Sequence, residues 1–186
     1  WKYNTRAYSQ CLRALEAASE KSANELAREW LTTRIGMKDS RWVERPGARE
    51  GVAANRYGFA TTAKDLARFG LLMHGNGRWN DQTLLSDQNY LRAATSSSQS
   101  LNPSYGFLWW LNGQESALRG IRRVKGPLIA TAPNDLIGAF GALGRKCYVV
   151  PSLGLVVTRL GDSSTVVGKP SFDNQFWRLL MEAAPK

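Results

Sequence analysis

The chain has 186 residues, of which 43% are apolar, and its formal net charge is +10 because 25 lysines and arginines outnumber 15 acidic residues. That length suits one ordinary domain with a sizeable core, so we expect a single domain over residues 1–186. The sequence has no apolar run of about 18 residues and no positively charged start followed by an apolar stretch, which excludes a membrane span and a signal peptide within it.

The positive charge is spread along the whole sequence. The one dense basic group consists of Arg119, Arg122, Arg123 and Lys125, and it lies in a segment without helical periodicity or interleaved aromatic residues. Nucleic-acid-binding surfaces are typically a basic helix or a basic face with aromatic side chains. We therefore expect a solvated basic face and no nucleic-acid partner.

The cysteines and the single histidine give no sign of a metal or redox centre. Cys11 and Cys147 are far apart and form no Cys-x-x-Cys motif. Both are expected to be small buried side chains, with a disulfide between them as an open alternative. His74 precedes Gly75 at a predicted helix end, where a cation suits the helix dipole, and it lacks partner ligands. No metal or organic cofactor is predicted.

Hydrophobic periodicity and capping residues predict four helices in the first half of the chain. The predicted helices run from Asn4 or Thr5 to about Ala18, from Ser22 to about Gly36, from Thr62 to Gly75, and from Ser86 to Ala94. Residues 38–58 lack such periodicity and are expected to be a polar loop.

Apolar and β-branched residues predict strands in the second half. One strand is expected over Tyr105–Leu111, and two more, over Leu136–Val150 and Leu155–Leu160, should form a hairpin around the turn Pro151–Gly154. A closing helix is predicted from one apolar face, formed by Phe172, Phe176, Leu179, Leu180 and Ala183. The predicted class is α+β, with helices first and an antiparallel sheet last. Because a sheet of two or three strands is thin, we expect that part of the domain is missing.

Five segments resemble the carboxyl-terminal part of serine β-lactamase-type hydrolases of the class C or penicillin-binding-protein-like kind. In the family's order they are Trp1–Tyr8 with its tyrosine motif, Ile35–Met37, Tyr57–Phe69, Tyr105–Trp110 and Gly138–Gly161. The resemblance implies a β-lactamase/transpeptidase-like fold whose amino-terminal part is absent. It also implies acyl transfer by an activated serine that attacks an ester, an amide or a β-lactam.

The nucleophile motif Ser-x-x-Lys of these families lies upstream of the tyrosine motif, and this sequence does not contain it. The nearest pattern, from Thr61 to Lys64, falls on a predicted helix cap. The resemblance therefore implies a companion chain or segment that carries the motif, and a small ester, amide or lactam substrate. The alternative is a non-catalytic binding protein or an inert fragment. The periplasm or the exterior is favoured over the cytoplasm, although the compartment stays open.

The resemblance assigns Tyr3 the role of catalytic base. A phenolate held near lysine ammonium groups would assist deprotonation of the serine, because a cation lowers the pKa of a phenol. Two residues further on, where the family has asparagine, this sequence has Thr5, and Asn4 stands one position earlier. Thr5 is predicted to contact the substrate, but it lacks the amide donor and carbonyl acceptor that asparagine would offer.

The family's Lys-Thr-Gly or His-x-Gly triplet aligns with Ala139, Phe140 and Gly141, of which only the glycine is retained. The resemblance places Phe140 and Gly141 beside the substrate and gives the backbone amide of Ala142 to the oxyanion hole. Since Ala139 carries no charge, neutral esters or short amides are favoured, as in the carboxylesterase and 6-aminohexanoate-dimer hydrolase branch.

Some neighbouring residues have alternative interpretations. Gly141, like Gly138 and Gly144, could serve only bulges or close packing. Lys146 shares a face with Ala142 by period-2 counting, yet it is expected to lie too far along the strand to act. Trp109 and Trp110 should point to opposite faces, so at least one belongs to the core. Arg159 is expected to be a structural residue of the last strand.

Overall fold

The computed structural model describes residues 1–45, 56–164 and 171–183. Its helices are α1 (Thr5–Ser19), α2 (Ala23–Ala27), α3 (Thr33–Ile35), α4 (Ala63–His74), α5 (Gln88–Ala94) and α6 (Phe172–Ala183). Its strands are β1 (Arg41–Glu44), β2 (Tyr57–Ala60), β3 (Arg78–Trp79), β4 (Gln82–Thr83), β5 (Trp110–Leu111), β6 (Ser116–Arg119), β7 (Arg122–Lys125), β8 (Ile137–Phe140), β9 (Lys146–Val150) and β10 (Leu155–Arg159). The predicted α+β class with a carboxyl-terminal helix is confirmed.

Side-chain caps begin the first two helical segments where the sequence predicts them. Asn4 accepts a hydrogen bond of 3.0 Å from the backbone N–H of Arg6, so it is Asn4 that caps α1. Ser22 and Glu25 form both bonds of a capping box at the start of α2. A π-helical turn, Arg28–Thr32, then joins α2 to α3, and the whole segment ends at Gly36 as predicted.

Two later helices also have capped starts. Thr62 accepts from the backbone N–H of Asp65 at 3.2 Å and caps α4. The start of α5 lies slightly later than the predicted Ser86, because Asp87 accepts from the backbone N–H of Tyr90 at 2.9 Å. A side-chain acceptor at that position satisfies an N–H group that the helix itself leaves unpaired.

The central sheet is antiparallel, with four strands in the order β10-β9-β8-β5. The predicted hairpin of β9 and β10 is confirmed, with Leu155 opposite Val150. The single strand predicted over Leu136–Val150 is wrong, because the chain reverses within it and forms both β8 and β9. The reversal lies at Ala142–Gly144, where Leu143 has a φ of 60° and Gly144 a φ of 73°.

The strand predicted over Tyr105–Leu111 is also wrong for most of its length. Within this segment only β5 forms a strand, because Leu108 has a φ of 65° and turns the chain back on itself. The turn pairs Tyr105 with Trp110 across an isolated bridge. Period-2 alternation cannot reveal such a reversal when apolar residues continue through it.

The polar loop predicted over residues 38–58 contains strands at both ends. β1 and β2 pair antiparallel, with Arg41 opposite Ala60, and the rings of Trp42 and Phe59 lie 5.2 Å apart across the pair. Aromatic cross-strand pairs of this kind stabilise a hairpin. Residues 46–55 of the predicted loop lie outside the described part of the chain.

The two faces of the central sheet carry two separate apolar clusters. One cluster lies on the α4 side and includes Met73, Trp109, Leu111, Cys147 and Val149. The other lies on the α6 side and includes Leu128, Ile129, Tyr148, Val150 and Trp177. The alternation of inward and outward residues along β9 therefore sorts its side chains between two helical layers.

The predicted closing helix is α6, and Phe176 and Leu180 of its predicted apolar face pack against the cluster on that side of the sheet. Trp177 is fully buried on α6, whereas Leu179 is 54% exposed. The predicted face omitted Trp177, which stands one position after Phe176 and packs at right angles to Tyr148, with ring centroids 5.4 Å apart. The buried face is therefore centred about one residue away from the predicted stripe.

The two cysteines differ in environment. Cys147 is fully buried beneath α4, and burial raises the pKa of its thiol to about 12. Cys11 is exposed on α1, a helix without a buried residue, so the prediction that both cysteines are buried is wrong for Cys11. Both thiols are free. In the described ranges no helix is long and apolar enough to cross a membrane.

Candidate active site

An open cleft with a volume of about 460 Å³ lies at the end of β8, and we name it the β8 cleft. It is lined by all five residues that the sequence singles out, namely Tyr3, Thr5, Phe140, Gly141 and Ala142. Two of them precede or begin α1 and three follow one another at the strand end. Residues about 135 positions apart in sequence are thus brought to one surface.

Tyr3 stands at one end of the cleft, 39% exposed, with its ring stacked 6.4 Å from that of Trp110. Partial burial raises the pKa of its phenol above the ordinary value of 10.0, and the nearby Tyr8 raises it further. A hydrogen bond with Tyr105 lowers the pKa of Tyr3, because it stabilises the phenolate. The phenol is therefore held neutral within a tyrosine network.

The two residues after Tyr3 have separate tasks. Asn4 uses its side-chain oxygen to accept from the backbone N–H groups of Arg6 and Ala7, at 3.0 and 3.3 Å. That oxygen is thereby committed to capping α1. Thr5, the first residue of α1, lines the cleft in its place.

Gly141 is not required by the packing of the strand end. A Cβ atom built there would meet the carbonyl oxygen of Arg145 at 3.5 Å, an ordinary contact, and the backbone of Gly141 is extended. At Gly138, in contrast, a Cβ would lie 2.2 Å from a ring carbon of Phe140. Gly144 needs its positive φ for the turn. Packing therefore explains Gly138, and the turn explains Gly144. A Cβ atom would fit at Gly141, so the fold does not require a glycine there.

The backbone at the end of β8 offers an unused donor. β5 pairs with only the first half of β8, through Leu111 and Trp110 opposite Ile137 and Gly138. Gly141 donates to the carbonyl of Arg145 at 2.8 Å, and Ala142 accepts from the backbone of Arg145. Within residues 1–45, 56–164 and 171–183 the backbone N–H of Ala142 has no acceptor, so it is available to a ligand in the cleft.

Ala139 lies outside the cleft. Its side chain is on the α4 side of the sheet and packs against the cluster that contains Met73 and Trp109. The neighbouring Phe140 is on the α6 side, where it stacks on Trp110 with a centroid distance of 6.2 Å. Ala139, which the resemblance aligns with the family's cation, is thus an apolar residue that packs on the α4 side of the sheet.

Several further residues line the cleft and were not predicted as site residues, among them Trp110, Lys146 and Asp173. Trp110 forms part of its wall, while Trp109 is buried on the opposite face and stacks on Phe69, as the alternation of the two tryptophans predicts. Lys146 and Asp173 form an ion pair at the end of the cleft. Lys146 was expected to lie too far along the strand to act, but the reversal after Phe140 brings it back opposite that residue. Asp173 could have been recognised as an acidic residue on an apolar helical face.

The ion pair is closely surrounded. The ammonium of Lys146 lies 5.1 Å from the ring centre of Phe140, and its side chain is 14% exposed. Asp173 is 7% exposed and accepts a second hydrogen bond, 2.7 Å long, from the hydroxyl of Tyr148. Each member of this buried pair therefore has a partner of opposite charge, and the carboxylate has a neutral donor as well.

Two arginines hold the turn that carries Ala142. Arg159 donates to the carbonyl oxygens of Gly144 and Asp162 and stacks on Phe172, 4.9 Å from its ring centre. Arg145 donates to the carbonyl of Gly161 at 3.2 Å. Arg159 is therefore a structural residue, as expected, and it acts on the strand end beside the cleft. No group of acidic, histidine or cysteine side chains in the described ranges could hold a metal ion.

An antiparallel sheet between two helical layers, with a tyrosine motif set against the end of an inner strand, defines a β-lactamase-type domain. The family model named Beta-lactamase matches residues 1–180, so the chain belongs to that family. No curated protein matches the sequence.

Two solved structures have a similar fold. One, from Bacillus anthracis, is provisionally assigned as a 6-aminohexanoate-dimer hydrolase and has a TM-score of 0.66 at 21% identity, over 98% of this chain and 42% of that one. The other, from Bacteroides dorei DSM 17855, is provisionally assigned as a β-lactamase and has a TM-score of 0.54 at 18% identity, over 88% and 50%. At these identities the likeness shows the fold alone. The chain spans half or less of the length of either protein.

Proposed function

We propose that this chain supplies the tyrosine and the oxyanion-side strand of a serine hydrolase that cleaves ester or amide bonds through an acyl-enzyme. The observation that carries the proposal is that Tyr3, Gly141 and the unused N–H of Ala142 line one cleft. In this scheme a Ser-x-x-Lys segment outside these 186 residues supplies the nucleophile.

The chemical roles follow from the groups present. The phenolate of Tyr3 would accept the proton of the serine hydroxyl as the serine oxygen attacks the carbonyl carbon, and the phenol would return that proton to the leaving alcohol or amine as the ester or amide bond breaks. Water would then hydrolyse the acyl-enzyme and release the acid. The N–H of Ala142 would donate to the developing oxyanion, a contribution worth roughly a hundredfold or more in rate. Gly141 leaves room for the substrate to approach the strand.

The lysine of the missing segment has a defined electrostatic task. Burial and Tyr8 raise the pKa of Tyr3, and its nearest hydrogen-bonding groups are other tyrosines. A neighbouring ammonium would offset this by favouring the phenolate. Tyr3 is therefore proposed to act as a base only when that lysine is in place.

The substrate is proposed to be a neutral ester or a short amide. The side chain at position 139 is an alanine that packs under α4, so no cation at the family position can bind a substrate carboxylate. One of the two similar structures carries the name of an amide hydrolase, which makes linear amides a natural first class to assay.

A fluorophosphonate serine probe tests the proposal on the protein purified as it is produced, with the labelled polypeptides identified by gel and intact mass. A labelled polypeptide that copurifies with this chain is the expected result. In that complex, Tyr3→Phe should slow labelling by about a hundredfold or more, because a general base contributes that much. Tyr57→Phe, at an exposed tyrosine outside the cleft, should leave the rate unchanged.

The alternative is a non-catalytic protein that uses the same cleft for binding. It is favoured by the neutral tyrosine network around Tyr3 and by the absence of a charge at Ala139. Absence of any labelled polypeptide would replace the hydrolase proposal with this one.

A further inference from the structure

The lining of the β8 cleft includes a row of aromatic rings that ends at an ion pair. Tyr3 stacks on Trp110 with an interplanar angle of 12°, and Trp110 stacks on Phe140 at 17°. Beyond Phe140 the next group is the ammonium of Lys146, paired with Asp173. The register explains the row, because Trp110 lies opposite Gly138 and Phe140 opposite Lys146, all on one face of the sheet.

The hydrogen-bonding capacity of the ion pair is only partly used. One oxygen of Asp173, Oδ1, accepts from both Lys146 and Tyr148. In the described part of the chain no group donates to Oδ2, and Lys146 has no acceptor other than Asp173. An ionised carboxylate has about four acceptor sites and an ammonium has three donors. The pair therefore presents both an acceptor and a donor, and both residues line the cleft.

Such a pair complements a carboxamide. The carbonyl oxygen of an amide accepts from Lys146 while its N–H donates to Asp173, so one planar group satisfies both partners. A carboxylate of the same shape has no donor for Asp173 and is repelled by it. Because Lys146 and Asp173 together carry no net charge, the attraction of an anion to the first is largely cancelled by repulsion from the second.

We propose that Lys146 and Asp173 form an amide anchor, which binds the carboxamide group of an elongated ligand whose apolar body lies on Trp110 and Phe140, and which discriminates against a carboxylate in the same place. This deepens the proposed function, since the ligand is then an amide-bearing substrate. The binding itself requires no nucleophile.

Two isosteric probes, 5-phenylpentanamide and 5-phenylpentanoate, test the anchor by isothermal titration calorimetry on the chain as it stands. They share a phenyl body and differ only in the terminal amide or carboxylate. We expect the wild-type chain to bind the amide about tenfold more tightly, the difference of one charge-assisted hydrogen bond. Equal or tighter binding of the carboxylate by the wild type would overturn the proposal, whatever the variants do.

A pair of substitutions tests whether the ion pair is the cause. Asp173→Asn leaves the charge of Lys146 unopposed, so the preference should move towards the carboxylate by about tenfold or more. The double variant Lys146→Met with Asp173→Asn removes both charges and should bind the two probes within about threefold of each other. An amide preference that survives in the folded double variant would also overturn the anchor.

Arg45 supplies the matched control, because among the described residues it is the other cation that lines the cleft. Its Nε donates to the carbonyl of Tyr57, and it belongs to the segment that follows β1. Arg45→Gln should leave the amide preference of the wild type unchanged. A carboxylate preference that Arg45→Gln abolishes would assign the cleft's selectivity to Arg45.

The binding experiment separates this inference from the proposed function. If the chain prefers the amide probe but no labelled serine partner is found, the amide anchor is supported and the hydrolase proposal fails. If a partner is labelled but the chain does not prefer the amide probe, the hydrolase proposal is supported and the amide anchor fails.

Discussion

The guanidinium of Arg159 donates a hydrogen bond of 2.9 Å to the backbone carbonyl of Gly144, and thereby ties the end of β10 to the turn that carries Ala142. A second bond, 2.7 Å long, runs to the carbonyl of Asp162, and the same group stacks on Phe172. Leu143 adopts a positive φ in this turn, a conformation that a side-chain-bearing residue keeps only when its surroundings hold it. Arg159 provides part of that support.

Replacing Arg159 should therefore loosen the turn. Arg159→Met removes charge-assisted bonds to carbonyl groups, and we expect a loss of about 1–3 kcal/mol in the free energy of unfolding measured in urea. Arg178→Met is the control, because Arg178 forms only an exposed pair with Glu182 and should cost under about 0.5 kcal/mol. Similar losses in the two variants would show that Arg159 does not hold the turn.

Alanine should be tolerated at Gly141, at the end of β8, but should destabilise the fold at Gly138, within β8. Gly141→Ala meets only ordinary contacts, so the free energy of unfolding should change by less than about 1 kcal/mol while the new methyl group projects over the strand end. Gly138→Ala would place a Cβ 2.2 Å from the ring of Phe140 and should cost about 1–3 kcal/mol through overpacking. Urea unfolding measures both.

Binding provides the second readout for this pair. If Gly141 keeps the cleft open to ligand, Gly141→Ala should weaken binding of 5-phenylpentanamide by about tenfold despite its intact stability. Unchanged binding would mean that the missing side chain at Gly141 has no role in recognition.

The buried thiol of Cys147 should make stability depend on pH. Burial raises its pKa from the ordinary 9.0 to about 12 in the folded state, so the folded chain holds a proton that the unfolded chain releases above pH 9. Stability is thus highest below pH 9 and falls as the pH rises towards 12. Between pH 8 and pH 10 this one group should remove about 1.4 kcal/mol from the free energy of unfolding.

Urea unfolding of three proteins at these two pH values checks the thiol. Cys147→Ala should lack that part of the pH dependence, whereas Cys11→Ala, at an exposed cysteine, should keep it. The tyrosines with raised pKa values contribute equally to all three proteins, so the comparison isolates the thiol. Identical pH dependence in wild type and Cys147→Ala would show that Cys147 is not the source.

Local sequence signals predicted the helices well because their causes are local. The capping box of Ser22 and Glu25 and the cap at Thr62 involve residues three apart, and the structure has both. The strands were harder to predict. The reversals at Leu108 and Leu143 place positive φ angles on leucines, and a leucine gives no turn signal in a sequence.

In the candidate site, too, residues of local motifs were predicted, whereas a contact between distant residues was missed. Tyr3, Phe140, Gly141 and Ala142 were predicted from motifs, and they do share a cleft. Asp173 was missed because its partner Lys146 lies 27 residues away on another element, and only the turn after β8 brings Lys146 back beside Phe140. Pairs that meet through a chain reversal and a distant helix cannot be found by spacing alone.

The tyrosine network around Tyr3 should tune its ionisation in two directions. Burial is the main reason for the raised pKa of Tyr3, and Phe substitutions of its neighbours keep that burial. The hydrogen bond with Tyr105 lowers the pKa of Tyr3, so Tyr105→Phe should raise that pKa further. Tyr8 raises the pKa of Tyr3, through its charge and through a side-chain hydrogen bond, so Tyr8→Phe should lower it.

Titration of ¹³C-labelled tyrosine ring carbons by NMR, from pH 8 to pH 12, measures the pKa of Tyr3 in each variant. Tyr90→Phe is the control, because Tyr90 is 57% exposed and outside the cleft. Opposite shifts in Tyr105→Phe and Tyr8→Phe would confirm that the two neighbours act on the pKa of Tyr3 in opposite directions. Shifts of the same sign would contradict it. If Tyr8→Phe lowers the pKa of Tyr3 as expected, more of this phenol is ionised near neutral pH, and Tyr3 is more available as a base.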